Sequence, residues 1–249
     1  MRILVTNDDG VYSPGIAALA RAAQKFGDVR VVAPDVERSS AGHSITASSP
    51  LTFKRTPLAG IDAYRVNGTP ADCVGLGVYT WETVDIVLSG INLGSNLGNA
   101  IWHSGTLAGA KQGALLGLRG IALSTPSGDG EPDFQTLAPW VTVVLDLLLK
   151  MRTLSLVNVN LPLGMPRGIQ WTAQAVSHYD GRVVKGEDPM KRLVYWYTVV
   201  PIEGSEEGTD RWAVERGYVS VTPLRLDLTD HERLAAARAS EVMRSVKFG

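Results

Sequence analysis

One cysteine in 249 residues, Cys73, leaves no partner for an intrachain disulfide. Packing must therefore hold the chain together, and a reducing compartment is expected. Charge of one sign is also missing. Lys and Arg total 24 against 25 Asp and Glu, a formal net charge of −1, which excludes a nucleic-acid scaffold or an anionic-membrane binder held by bulk charge. Long apolar runs are absent too. None approaches the roughly 20 residues of a membrane span. One basic and three apolar residues precede Thr6, too few for the apolar core of a secretory signal. A soluble cytoplasmic protein is the expectation. What remains is ordinary: 45% hydrophobic residues, enough for a real core, in a length that suits one large α/β domain or two small ones. No repeat, low-complexity tract or flexible linker divides the chain, so a single domain over 1–249 is expected.

Short apolar runs alternate with helical patterns. Ile3–Val5, Val29–Ala33, Val84–Leu88, Gly120–Ser124 and Leu156–Asn160 read as strands. Ser13-Pro14-Gly15 opens a helix that runs to about Phe26, with serine as cap and proline at the first helical position. A second helix is expected from Gly105 to about Leu118, and Phe134, Leu137, Val141, Val144, Leu145 and Leu148 mark one face of a third. Strand–helix alternation predicts an α/β fold with a mostly parallel sheet. From about Ile169 to Glu215 the character changes to an alternating, tryptophan-bearing stretch with no clear helix, expected to be a β-hairpin elaboration. Gly217–Leu224 reads as a last strand. Thr229-Asp230-His231-Glu232 matches a capping box for a C-terminal helical segment over about 225–249.

Three loops follow strands and would share the carboxyl rim of the sheet, where open α/β sheets bind ligands. The first is Asn7-Asp8-Asp9-Gly10. Two adjacent carboxylates repel unless a cation lies between them or one holds a proton. The second, Pro34–Ser44, carries Ser39 and His43. The third runs from Ser89 to Asn99, with glycines at 90, 94 and 98 and amides at Asn92 and Asn96. Those amides can bind metal through oxygen or phosphate through nitrogen. Ser104-Gly105-Thr106 then starts a helix, whose N-terminal N–H groups favour phosphate. The loop matches neither a Walker sequence nor the dinucleotide Gly-x-Gly-x-x-Gly. The oxygens of Asp8, Asp9, Ser39 and Asn92 suit a hard cation such as Mg²⁺ or Mn²⁺ rather than a thiolate-bound zinc. Two carboxylates offset one divalent ion and leave a site that a phosphate dianion can approach.

These segments carry a resemblance. Asn7-Asp8-Asp9-Gly10 with Pro14-Gly15-Ile16, Arg38-Ser39 through Ser44-Ile45-Thr46, and Val66–Asp72 are similar to the SurE (stationary-phase survival protein) family of metal-dependent nucleotidases. So are Ser89-Gly90-Ile91-Asn92 with Gly94, Asn96 and Gly98, Ser104-Gly105-Thr106, Asn158-Val159-Asn160 with Pro162, and Val221–Leu224. The resemblance implies a Rossmann-like three-layer core, a β-hairpin arm and a C-terminal segment exchanged between subunits. It implies one divalent metal per subunit on Asp8, Asp9, Ser39 and Asn92, with Mg²⁺ or Mn²⁺ first and Co²⁺ third. It also implies phosphate contacts from Asn96, Ser104, Gly105 and Thr106. The expected activity is hydrolysis of nucleoside monophosphates, 5′ and perhaps 3′, or of short polyphosphate, with Asp8 and Asp9 as catalytic residues. The expected assembly is a homodimer, or a homotetramer built through the arm, with neither membrane nor nucleic-acid duplex as partner. His103 stands where many relatives have tyrosine, and Leu107 where many have valine. Two alternatives stay in view. A receiver-like Mg²⁺-binding signalling domain would also carry an acidic pair after its first strand, but it needs an aspartate where the third strand ends, and Ser89 is there. A non-catalytic nucleotide-binding protein would keep the cavity without turnover.

Overall fold

A computed structural model describes residues 1–58, 60–128, 133–176, 181–199 and 204–240. Its nine-stranded sheet has the order β3-β4-β2-β1-β5-β6-β7-β11-β8. In chain order these are β1 (Arg2–Thr6), β2 (Asp28–Pro34), β3 (Phe53–Arg55), β4 (Asp62–Val66), β5 (Ile86–Leu93), β6 (Arg119–Thr125), β7 (Leu156–Asn160), β8 (Ile169–Trp171) and β11 (Val219–Leu224). From β4 to β7 all neighbours are parallel, whereas β3 pairs antiparallel with β4 and β11 antiparallel with β7. The remaining strands, β9 (Gly181–Glu187) and β10 (Leu193–Val199), form a separate antiparallel hairpin sheet.

Both faces of the parallel strands are covered, which is why they read as unbroken apolar runs. On one face Ile3, Val5, Ile86, Leu88, Ile121 and Leu123 pack with α1 (Pro14–Ala23) and α4 (Phe134–Lys150). On the other, Leu4 and Val87 pack with α2 (Pro70–Trp81), and Ala122 packs with α3 (Gly105–Leu115). The period of two along β1 thus divides the core into two layers. The expected α/β architecture is the observed one, and it matches solved structures described below.

Several boundaries differ from the sequence reading. Ser89–Leu93 was expected to be loop, but β5 continues through it: after a shift in register, Asn92 pairs with Ser124 and Leu93 with Thr125. The α1 helix stops at Ala23 and α3 at Leu115, short of the expected ends. The stretch after Ile169 is not one hairpin. β8 joins the main sheet, and Asp210–Glu215 forms a short helix, α5, behind the cap Thr209. Within that stretch residues 177–180 and 200–203 lie outside the described residues. The last helix, α6 (His231–Ala239), is capped by Asp230, whose side chain accepts from the Arg233 N–H, not by Thr229. None of its residues is buried, and residues 241–249 of the expected C-terminal segment lie outside the described residues. Among the described residues no helix is long and apolar enough to cross a membrane.

Candidate active site

The chain turns sharply after β1. Asn7 is buried and its Nδ2 donates to the Gly10 carbonyl at 2.9 Å and to Ser13 Oγ at 2.8 Å. Gly10 takes φ +94°, a conformation that L side chains resist. The turn therefore sets Asp8 and Asp9 at the strand end and starts α1 behind them. Asp8 is buried, and its Oδ1 accepts from the Thr106 hydroxyl at 2.7 Å. Its carbonyl accepts from the Arg38 N–H at 2.7 Å, which ties the loop after β2 to the loop after β1. Asp9 accepts from the Leu93 N–H at 3.3 Å, which ties it to β5.

Burial lifts both carboxyl groups above their usual range. Asp8 is raised by desolvation against the bonds from Thr106. Asp9 is pushed up to about 6, first by burial and then by the charge of Asp8. Glu37 adds a smaller repulsion to each. Its Oε1 accepts a hydrogen bond from the Ser39 hydroxyl at 2.5 Å.

The helix α3 reaches this pair because it has a glycine edge. A Cβ at Gly105 would lie 2.7 Å from Asp8 Cβ, one at Gly109 2.7 Å from Ser89 Oγ, and one at Gly113 2.7 Å from Val87 Cγ2. Glycines at this four-residue spacing face β1 and β5 and let the helix lie closer than any side chain would permit. Its N-terminus then abuts Asp8. Ser104 caps it, accepting from the Leu107 N–H at 3.0 Å, which leaves the hydroxyl proton for another acceptor.

A cavity of about 730 Å³ opens over these groups, lined by Asp8, Ser39, Asn92, Asn96 and Ser104 together with Leu93, Ala100 and His103. Its opposite wall is Gly181, Tyr197 and Thr198 of the hairpin. Asp9, Gly105 and Thr106 are not part of this lining. Thr106 turns its hydroxyl and its N–H to Asp8, so Ser104 is the member of that trio on the wall. His43 is not on it and pairs with Gln112 on α3 at 2.9 Å. Among the described residues that line the cavity there is no Lys or Arg. Asn92, whose Nδ2 donates to the Gly94 carbonyl at 2.6 Å, keeps its amide oxygen available. This all-oxygen donor set fits a hard divalent cation.

Asn96 is fixed at every donor. Its N–H donates to Asn160 Oδ1 at 2.8 Å, and its carbonyl accepts from Asn158 Nδ2 at 2.7 Å and Asn160 Nδ2 at 3.1 Å. Its own Nδ2 donates to Ser124 Oγ at 2.8 Å and Thr106 Oγ1 at 3.3 Å. The single proton of the Thr106 hydroxyl goes to Asp8, so that oxygen can only accept from Asn96. This fixes which way the Asn96 amide faces. The atom left is Oδ1, an acceptor. Sequence reasoning placed Asn158 and Asn160 in a strand and matched their motif but missed their support of Asn96, because strand alternation does not show which loop a side chain will meet. It also missed Tyr197 and Thr198, since alternation in β10 marks a strand and not the wall it joins.

The family model of the survival protein SurE matches residues 3–181. This chain belongs to the SurE family. It is 50% identical over 242 residues to the protein named 5′-nucleotidase SurE 1 of Thermus thermophilus, across 95% of this chain and 96% of that one. It is 46% identical to the 5′-nucleotidase SurE of Deinococcus radiodurans, across 92% and 88% of the two chains. The crystal structure of the SurE protein from Aquifex aeolicus superposes with a TM-score of 0.84 at 41% identity, covering 96% of this chain and 98% of that one. Identity at this level over nearly the whole length carries the SurE fold onto this chain.

Proposed function

We propose that the protein is a divalent-metal-dependent phosphomonoesterase that hydrolyses nucleoside 5′-monophosphates to nucleoside and phosphate. The relatives' names support the nucleotidase reading. The observation that carries it is the junction of the acidic pair with the start of α3, where Thr106 meets Asp8 at 2.7 Å beside a cavity of about 730 Å³. That volume suits a ligand larger than phosphate. Asp8, Asp9, Ser39 and Asn92 would hold the cation, Mg²⁺ or Mn²⁺ by donor type, with Co²⁺ as third. When bound, it supplies Lewis acidity toward a phosphoryl oxygen and a more acidic water. Ser104 donates its hydroxyl to an equatorial phosphate oxygen, and the N-terminal dipole of α3 stabilises the charge there. Asn96 Oδ1 is an acceptor, suited to a proton of the attacking water rather than to an anionic oxygen. His103 lines the cavity beside Ser104. A homodimer, or a tetramer through the hairpin, belongs to the same reading. Its support is the unburied α6 and the exposed Val183, Leu193, Tyr195 and Trp196 of the hairpin. So does cytoplasmic residence, supported by one cysteine and no possible intrachain disulfide.

The test is phosphate release from 5′- and 3′-nucleotides and short polyphosphate, crossed with Mg²⁺, Mn²⁺ and Co²⁺. Release from 5′-nucleotides that is lost on chelation, and lost in Asp8→Asn and Asp9→Asn while both variants stay folded, is expected. Full activity after exhaustive chelation, or in either variant, would overturn the mechanism. A stable acyl-phosphate without turnover would favour a receiver instead.

A further inference from the structure

Asp210 lies outside the cavity, yet it joins the two walls. It is completely buried. Its Oδ2 accepts from the Gly98 N–H at 2.8 Å, and its Oδ1 accepts from the Ala175 N–H at 3.1 Å and the Arg211 N–H at 2.8 Å. Burying a carboxylate is unfavourable without such donors; burial raises the Asp210 pKa, and these three N–H groups and the nearby Arg211 charge oppose that rise. The same junction is closed by two more bonds. Gln174 Nε2 donates to the Gly98 carbonyl at 3.0 Å, and Asn99 Nδ2 to the Val176 carbonyl at 2.7 Å. The approach is close: a Cβ at Gly98 would lie 2.5 Å from the Ala175 carbonyl oxygen.

One side of this junction is the turn Gly98–Trp102, in the segment that carries Asn96, Ala100 and His103. The other side is the root of the hairpin that supplies Gly181, Tyr197 and Thr198. The phosphate end of the cavity, at Asp8 and Ser104, is held by the turn after β1 and by α3, and Asn96 is held separately by Asn158, Asn160 and Ser124. We propose that Asp210 is a positioning residue for the nucleoside half of the substrate, setting the hairpin wall against the 96–103 wall. The proposal rests on the hydrolase reading above. It assigns Asp210 no part in the hydrolytic step.

The test uses the full-length protein with two substrates, adenosine 5′-monophosphate and phenyl phosphate, which carries the same ester phosphate without a nucleoside. Asp210→Asn keeps the shape but replaces one acceptor oxygen by an NH₂ that faces an N–H. The KM for the nucleotide should rise about tenfold, while kcat on it, and kcat/KM on phenyl phosphate, stay within about twofold. Gln174→Ala removes one bond of the junction and should give a milder form of the same split. It carries the test if Asp210→Asn does not fold, which a thermal melt establishes. Parallel losses on both substrates, or an unchanged nucleotide KM in the folded variants, would overturn the assignment. Wild-type protein that releases phosphate from neither substrate would overturn the hydrolase reading, and this one with it.

Discussion

Gly105 has room for a hydrogen and no more. Alanine there would place its Cβ 2.8 Å from Asp8 Oδ2 as well as against Asp8 Cβ, so either the carboxylate or the helix must move. Overpacking of this kind costs about 1–3 kcal/mol, and a displacement near 1 Å at a reacting centre can cost about 100-fold in rate. Gly105→Ala should therefore lower phosphate release by about that factor while the unfolding midpoint in urea falls modestly. Asp9 allows a different prediction. Its folded pKa of about 6 lies above the ordinary aspartate value of 3.8. In metal-free protein the folded state thus binds more protons than the unfolded chain between those values, and Asp9 makes stability fall as pH rises through that window. Asp9→Asn removes the ionisation. The metal-free variant should melt above wild type at about pH 7.5, and that advantage should shrink as pH falls below about 6 and vanish only below 3.8, where Asp9 is neutral in the unfolded chain as well. Added Mg²⁺ or Mn²⁺ should raise the wild-type midpoint more than that of the variant. An equal rise in both would show that Asp9 does not hold the cation.

The elements place these residues through local rules of different legibility. The proline-started α1 and the apolar parallel strands were readable because serine caps, fixed φ and two-sided burial leave composition signals. Strand β5 was readable only to Ser89. Its glycine-rich end looks like loop, and what extends it is pairing with Ser124 and Thr125, residues more than thirty positions away. Helix α5 was missed because six residues are too few to show a period. Strands β3 and β4 were missed because they are short and polar, and they are settled by Phe53 stacking on Tyr64 and by Arg30 pairing with Asp62 at 2.7 Å. In the site, the acidic pair stood out unaided. Ser39 and Asn92 stood out chiefly through the family resemblance, and the hairpin wall not at all. Asp72 does more than cap a helix. It sits at the third position of α2 in a reciprocal capping box with Thr69, and its carboxylate also accepts the N–H and hydroxyl of Thr46 at 2.9 and 2.6 Å. Burial alone would raise its pKa, but these bonds hold it below the ordinary value. Asp72→Ala should cost about 1–2 kcal/mol in urea unfolding. It should also speed amide hydrogen exchange over residues 43–46 more than over β1.

At the scale of the molecule, the hairpin and the segment before α6 both expose large apolar side chains. Tyr195 and Trp196 are each 65% exposed on the hairpin, and Leu228 before α6 is 70% exposed. Sedimentation should find an assembly of two or more chains that persists in metal-free protein, and removal of residues 226–249 should weaken it. A monomer at micromolar concentration would contradict the proposed homodimer. The hairpin has a further consequence. It forms a two-stranded sheet of its own and shares no ladder with the nine-stranded sheet that holds the acidic pair. Its sequence can therefore drift, or be swapped for that of a relative, without disturbing a single core strand. A designer seeking a new leaving group would randomise Tyr197 and Thr198 and leave the rim untouched. Divergence between lineages that hydrolyse different esters should accumulate in the same module.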